Sequence, residues 1–182
     1  MPVEIVRIGT DHIEGFHRAL DIVARERRYL AFLEAPPIER VRAFVLGNIE
    51  HGYPQYVILS ADGDVSGWCD ILPMTSGPTH RHRGVLGMGL LPQFRGQGIG
   101  ATLLQAALCA ARDFGLHRVE LTVRQGNERA IALYRSAGFE REGEQKDAIR
   151  IDGVYENLIG MAKLFQRPDG VTAACRNPRR CP

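Results

Sequence analysis

Leu90-Leu91-Pro92-Gln93-Phe94-Arg95-Gly96-Gln97-Gly98-Ile99-Gly100 holds the end of a strand, a glycine-rich turn and the first turn of a helix. Val85 to Leu91 reads as the strand despite Gly87 and Gly89. From Gly98 the apolar period changes. Ile99, Leu103, Ala107, Ala110 and Phe114 form one helical stripe, widened by Leu104 and Leu108, and Gly115 ends it. A helix start presents unpaired amides and the positive end of its dipole, and glycines let a backbone approach an anion closely. Two phosphate motifs fail here. No Gly-Lys-Ser/Thr follows, and Gly96, Gly98 and Gly100 are spaced GxGxG before Ala101 rather than GxGxxG. The acidic residue that a dinucleotide site expects at the end of the next strand is replaced by Arg124.

Outward from this turn, Glu4–Ile8 reads as a strand. Thr10 or Asp11 then caps a helix with Ile13, Phe16, Leu20 and Val23 on its apolar face. Pro36-Pro37 opens a second helix carrying Val41, Phe44, Val45 and Ile49. Tyr56–Leu59 and Val65–Leu72 are strands about an Asp62-Gly63 turn. Arg118–Arg124 alternates as a strand, Asn127 opens a helix closed by Gly138, and Asp152-Gly153 joins two long strands. The order β-α-α-β-β-β-α-β-α-β-β predicts an α/β chain with a mixed sheet flanked by helices.

The 182 residues carry 23 Lys+Arg against 21 Asp+Glu, too balanced to argue for a nucleic-acid partner. No apolar run reaches the roughly 18 residues of a membrane span, and the N-terminus lacks a signal-peptide layout. The expectation is a soluble cytoplasmic protein without membrane contact. Residues 1–167 read as one domain, and 168–182 as a flexible basic tail with Arg176, Arg179 and Arg180. Cys175 and Cys181 in that tail lack the spacing and further ligands of a metal site, and no metal is expected.

Arg95, Gly98 and Gly100 fit Arg-x-x-Gly-x-Gly, and Asn127, Ala130, Tyr134, Gly138 and Phe139 fit Asn-x-x-Ala-x-x-x-Tyr-x-x-x-Gly-Phe. With both motifs in order, residues 55–165 resemble the GNAT superfamily of acetyl-CoA-dependent N-acetyltransferases. Asp152-Gly153-Val154-Tyr155 with Met161 resembles bacterial members acting on amino acids and related small amines. The resemblance implies a mostly antiparallel twisted sheet of about seven strands with about four helices, acetyl-CoA as cosubstrate, and a homodimer. It implies direct transfer to a primary amine of a small molecule. The alternatives are acetylation of a protein N-terminus or lysine, and a non-catalytic acyl-CoA sensor.

The resemblance also assigns roles. Gly96, Gln97, Gly98, Ile99 and Gly100 face the pyrophosphate, and Arg95 either adds charge or braces the turn. Met88, Gly89 and Leu90 lie along the pantetheine arm, with the Leu90 N–H aimed at the acetyl carbonyl. Asn127 and Tyr134, seven residues apart, share a helix face. Asn127 binds the arm or a water, or caps the helix; Tyr134 protonates the departing thiolate. The base is less defined, because Val85–Leu91 lacks the glutamate that many relatives carry there. Asp70 is favoured, beside Glu120, His80 and His82. Tyr29 to Pro37, with Phe32 and Glu34, would cover the acceptor. Asn157 stands where relatives often carry an aspartate.

Overall fold

The computed structural model describes residues 3–166, so the tail and its two cysteines lie outside the described residues. The elements run β1 (Glu4–Arg7), α1 (Ile13–Arg25), α2 (Ile38–Glu50), β2 (Gln55–Leu59), β3 (Val65–Pro73), β4 (Arg83–Leu90), α3 (Ile99–Asp113), β5 (Arg118–Arg124), α4 (Glu128–Ser136), β6 (Glu140–Ile151) and β7 (Val154–Leu164). This is the order read from the sequence. The seven strands form one sheet, β1-β2-β3-β4-β5-β7-β6, in which every neighbouring pair is antiparallel except β4 and β5.

Alternation along the strands sends side chains to two cores. Cys69 and Ile71 of β3 and Val119, Leu121 and Val123 of β5 pack with Leu103, Leu104, Ala107, Leu108 and Ala111 of α3 and Tyr134 of α4. On the opposite face, Val57 and Trp68 pack with Phe16, Leu20 and Val23 of α1 and Val41 and Val45 of α2. The Phe16 ring meets Trp68 edge-on at 5.6 Å.

Several local expectations are corrected. Neither Thr10 nor Asp11 caps α1; Gly9 N–H instead donates to His12 Nδ1 at 2.8 Å, and a short 3₁₀ turn leads into the helix. On α2, Phe44 and Ile49 are exposed, and Asn48 completes the buried face with Val41 and Val45. On α3 the buried stripe uses Ala111 rather than Phe114, whose ring lies outside against Tyr53. Asp152 and Gly153 both take positive φ, as a two-residue hairpin turn requires.

Candidate active site

β4 and β5 pair only at Arg83–Arg118, Gly84–Val119 and Val85–Glu120. Past Val85 they part, and the remainder of β4 has no strand on that side. The direction of its backbone groups follows from one bond. Leu91 N–H donates to Ser66 on β3 at 2.9 Å, so by alternation the N–H groups of Met88 and Leu90 point into the split. Arg95 Nε donates to the Leu90 carbonyl at 2.8 Å, leaving the Leu90 N–H as the open group.

The glycine turn sits at the mouth of this split. Gly98 has φ +79° and ψ −14° as the N-cap of α3, a left-handed conformation that disfavours any side chain. The amides of Ala101 and Thr102 bond back to the Gly98 carbonyl, whereas those of Gly96, Gln97, Gly98, Ile99 and Gly100 reach no described partner. Five consecutive free amides at a helix start make a concave donor surface for a multiply charged anion. The Gln97 side chain is turned away, Nε2 donating to the Gln93 carbonyl at 2.6 Å.

Of the two roles open for Arg95, bracing is the one its contacts fill. Besides Leu90, Arg95 Nη1 donates to Glu26 Oε2 at 2.8 Å and Nη2 to Glu26 Oε1, while the guanidinium lies 4.8 Å from the Tyr29 ring centroid. Three of its five N–H donors are thus engaged with the chain, which ties the turn to the segment after α1.

Asp70 lies on β3 opposite Gly87, with Trp68 opposite Gly89. The register from Gly67 to Pro73 is unbroken, so the glycines of β4 do not mark a bulge. They make room instead. A Cβ on Gly87 would sit 3.1 Å from Asp70 Oδ1, and one on Gly89 would run into the indole. The Asp70 carboxylate therefore occupies space that a residue-87 side chain would take, delivered from the adjacent strand. Burial raises its pKa from 3.8 to about 7.

The other candidate bases are placed differently. Glu120 accepts from Arg83 at 2.7 and 2.8 Å and from Arg118 at 2.8 Å. Burial pushes its pKa up, but the two guanidiniums outweigh this and hold it below the usual value. A carboxylate so held is a poor proton acceptor. His80 and His82 flank the turn entering β4, at the end where it still pairs with β5, away from the glycine turn.

Tyr134 packs beneath the sheet in the core that holds Cys69 and Met88. Burial, with a smaller contribution from Cys69, pushes its pKa well up. No hydrogen bond to a described residue engages its hydroxyl, which thus stays protonated and free to donate. Cys69 is fully buried and its thiol is pushed up by that burial, which removes it as a nucleophile. Asn127 caps α4, its Oδ1 accepting from Ala130 N at 3.2 Å, with the amide nitrogen left over.

The segment after α1 is tied down at several points. Arg27 donates to Asp152 at the hairpin tip at 2.6 Å, and Arg124 Nη1 donates to the Arg27 carbonyl at 2.7 Å. Arg124 is buried and paired with Glu156, and Glu34 lies 3.6 Å from Arg25. Phe32 is exposed. Asn157 is held within the hairpin, where its Oδ1 accepts from Asp147 N and its Nδ2 donates to Glu144, fixing the irregular stretch of β6. Sequence reading did not find Glu26, Arg27 or Glu156. Their partners lie 69, 125 and 32 residues away, and no local pattern marks such pairs. A cavity of about 430 Å³ is bordered by Arg18, Ile22, Asp62, Ser66, Leu91 and Gln93.

The site is thus a sheet split between its two parallel strands, with a helix start of amides lacking a described partner at the mouth. Residues 18–139 match the model of the Acetyltransferase (GNAT) family, and the chain belongs to that family. It is 37% identical over 98 residues to the N-alpha-acetyltransferase RimI of Mycobacterium tuberculosis, covering 54% of this chain and 60% of that one. It is 35% identical over 122 residues to the L-methionine sulfoximine/L-methionine sulfone acetyltransferase of Pseudomonas paraeruginosa, covering 66% and 70%. Among solved structures, the phosphinothricin acetyltransferase of Sinorhizobium meliloti in complex with AcCoA superposes with a TM-score of 0.84 at 19% identity, covering 95% and 97%. The chain spans about three fifths of the length of the first curated relatives it matches.

Proposed function

We propose that this protein transfers an acetyl group from acetyl-CoA to a primary amine of a small, amino-acid-like molecule. The observation that carries this reading is the run of five free amides, Gly96 to Gly100, at the mouth of the β4/β5 split. These donors suit a pyrophosphate, and the unpaired edge of β4 suits a chain bearing amides. Acetyl-CoA, when bound, supplies an acetyl thioester whose carbonyl carbon accepts an amine.

The residues of the chain divide the work. Met88 and Leu90 offer backbone groups to the arm, and the Leu90 N–H donates where oxyanion charge develops, a contribution of about 3 kcal/mol for one well-aimed donor. Asp70 takes the proton from the acceptor ammonium, and Tyr134 donates to the departing sulfur. The free amide nitrogen of Asn127 remains available to the arm or to a water. Arg95 links the carbonyl of Leu90 to Glu26, so the acceptor-side segment and the turn are held together.

The Arg27–Asp152 ion pair joins the segment after α1 to the hairpin tip, the two parts of the chain that would border the acceptor. Relatives named for methionine sulfoximine and for phosphinothricin agree with the amino-acid-like acceptor class. The test is release of free CoA thiol across amino acids, polyamines, aminoglycosides and peptides. Release with amino acids or their analogues is expected. Turnover confined to peptides would redirect the reading to protein acetylation, and tight acetyl-CoA binding without release would make the chain a sensor.

Gly98→Val tests the anion site separately. A β-branched residue cannot easily hold φ +79°, so the amide run should lose its shape. The Kd for acetyl-CoA, measured by calorimetry, is expected to rise at least about tenfold, the equivalent of ~1.4 kcal/mol. Unaltered affinity would sink the pyrophosphate assignment.

A further inference from the structure

Asn48 and Gln55 form a buried polar pair that the proposed reaction does not use. Gln55 opens β2 and is fully buried, and its Oε1 accepts from Asn48 Nδ2 on α2 at 2.9 Å. That bond orients the amide and leaves Gln55 Nε2 as a buried donor without a described partner. Buried donors are rarely left so, and this one has a neighbour able to accept.

The neighbour is Asp70, directly opposite Gln55 in the β2–β3 register. The Gln55 carbonyl accepts from Ile8 N at 3.0 Å on the β1 side, and Ile71 N donates to the Pro54 carbonyl at 2.8 Å. Gln55 and Asp70 are therefore a non-hydrogen-bonded antiparallel pair, the kind with Cα atoms about 4.5 Å apart and side chains closest. A donor without an acceptor stands beside a carboxylate to which no described group donates.

We propose that Gln55, oriented by Asn48, is a positioning residue for Asp70, its Nε2 donating to the ionised carboxylate directly or through one bridging water. The inference rests on the role of Asp70 as base. A donor to the charged form favours ionisation and opposes burial, which drives Asp70 the other way. Without this donor the carboxylate would be protonated over more of the neutral range.

Among the described residues, the buried charged group besides Asp70 is Arg124 of β5, which is held by Glu156 and the Arg27 carbonyl. The buried faces of α1 (Ile13, Phe16, Ala19, Leu20, Val23, Ala24) and α2 (Val41, Val45, Asn48) carry no charged group. On the same face β2 offers Val57 beside Gln55, and β4 offers Val85, Gly87 and Gly89. Arg83, further along β4, is held by Glu120. The titratable neighbour is Cys69, on the opposite face of β3.

The test follows the Asp70 carboxyl carbon by ¹³C NMR through a pH titration of the ligand-free full chain, with Asp70→Asn identifying the signal. Gln55→Leu is expected to move the midpoint upward by about one pH unit, a tenfold rise in proton affinity. The double variant Asn48→Leu/Gln55→Leu removes both halves of the buried pair, leaves no orphan, and serves where the single variant fails to fold. It should move the midpoint by a similar amount. A midpoint unchanged in a folded variant overturns the proposal. The acid limb of kcat/KM is followed in parallel with the acceptor that the panel selects. If the midpoint moves and the limb stays, Asp70 is not the base, while the effect of Gln55 on its ionisation stands.

Discussion

Asp70→Asn is expected to cut turnover by about 10²- to 10⁴-fold, the usual worth of a positioned general base, while making the protein more stable at alkaline pH. The two effects share one cause. Burial raises the pKa of this carboxyl from 3.8 to about 7, so the native state binds its proton more tightly than the unfolded chain does. Stability from this group is complete below pH ~4 and is lost as pH rises through about 7. At pH 8 the native protein therefore carries a buried charge that asparagine would not. At about 1.4 kcal/mol per pH unit, the difference amounts to at most ~4 kcal/mol.

Thermal unfolding of the two proteins at pH 4 and pH 8 reads this directly. The Tm values should agree at pH 4, with the variant higher at pH 8. In wild-type protein kcat/KM should rise through about pH 7 as Asp70 ionises, and the variant should lack that limb. Full turnover by the variant would return the base role to another group. Equal Tm values at pH 8 would show that the carboxylate is better solvated than its burial implies.

Tyr134→Phe carries the second large effect. Turnover should fall by about 10²-fold with acetyl-CoA affinity nearly unchanged, because the hydroxyl matters when charge builds on sulfur and contributes little beforehand. The raised pKa keeps Tyr134 protonated throughout the working range, so the variant should lower the plateau of the pH profile without moving its acid limb. Stability should alter little, since no described group bonds to the hydroxyl and the ring keeps its packing against Phe139, 5.8 Å away between centroids. Single-turnover rates with saturating acetyl-CoA separate the two steps. Unchanged turnover would remove Tyr134 as the donor.

Much of this architecture is legible along the chain because its signals are local. The Asp152-Gly153 turn, the alternation of Arg118–Arg124 and the capping Asn127 each depend on a few adjacent residues, and the structure keeps each of them. The failures are equally local in origin. The turn at Gly9 uses the His12 ring where a hydroxyl or carboxylate was expected, and the rotation of α3 that exposes Phe114 follows from what the sheet presents to it. Helical spacing marks an apolar face only to within a residue or so, and packing chooses among the candidates.

The amino-acid sequence by itself determined the element order, the glycine turn before α3 and the pair of motifs that place Tyr134 and Asn127 on one helix. These are properties of short segments, set by backbone preference and periodicity. Only the tertiary structure decided that Arg95 joins the Leu90 carbonyl to Glu26, that Glu120 is paired with two arginines, and that the Asp70 carboxylate fills the space beside Gly87. Each of those depends on residues far apart in the chain, and their charges and burial have no value until the strands are in register.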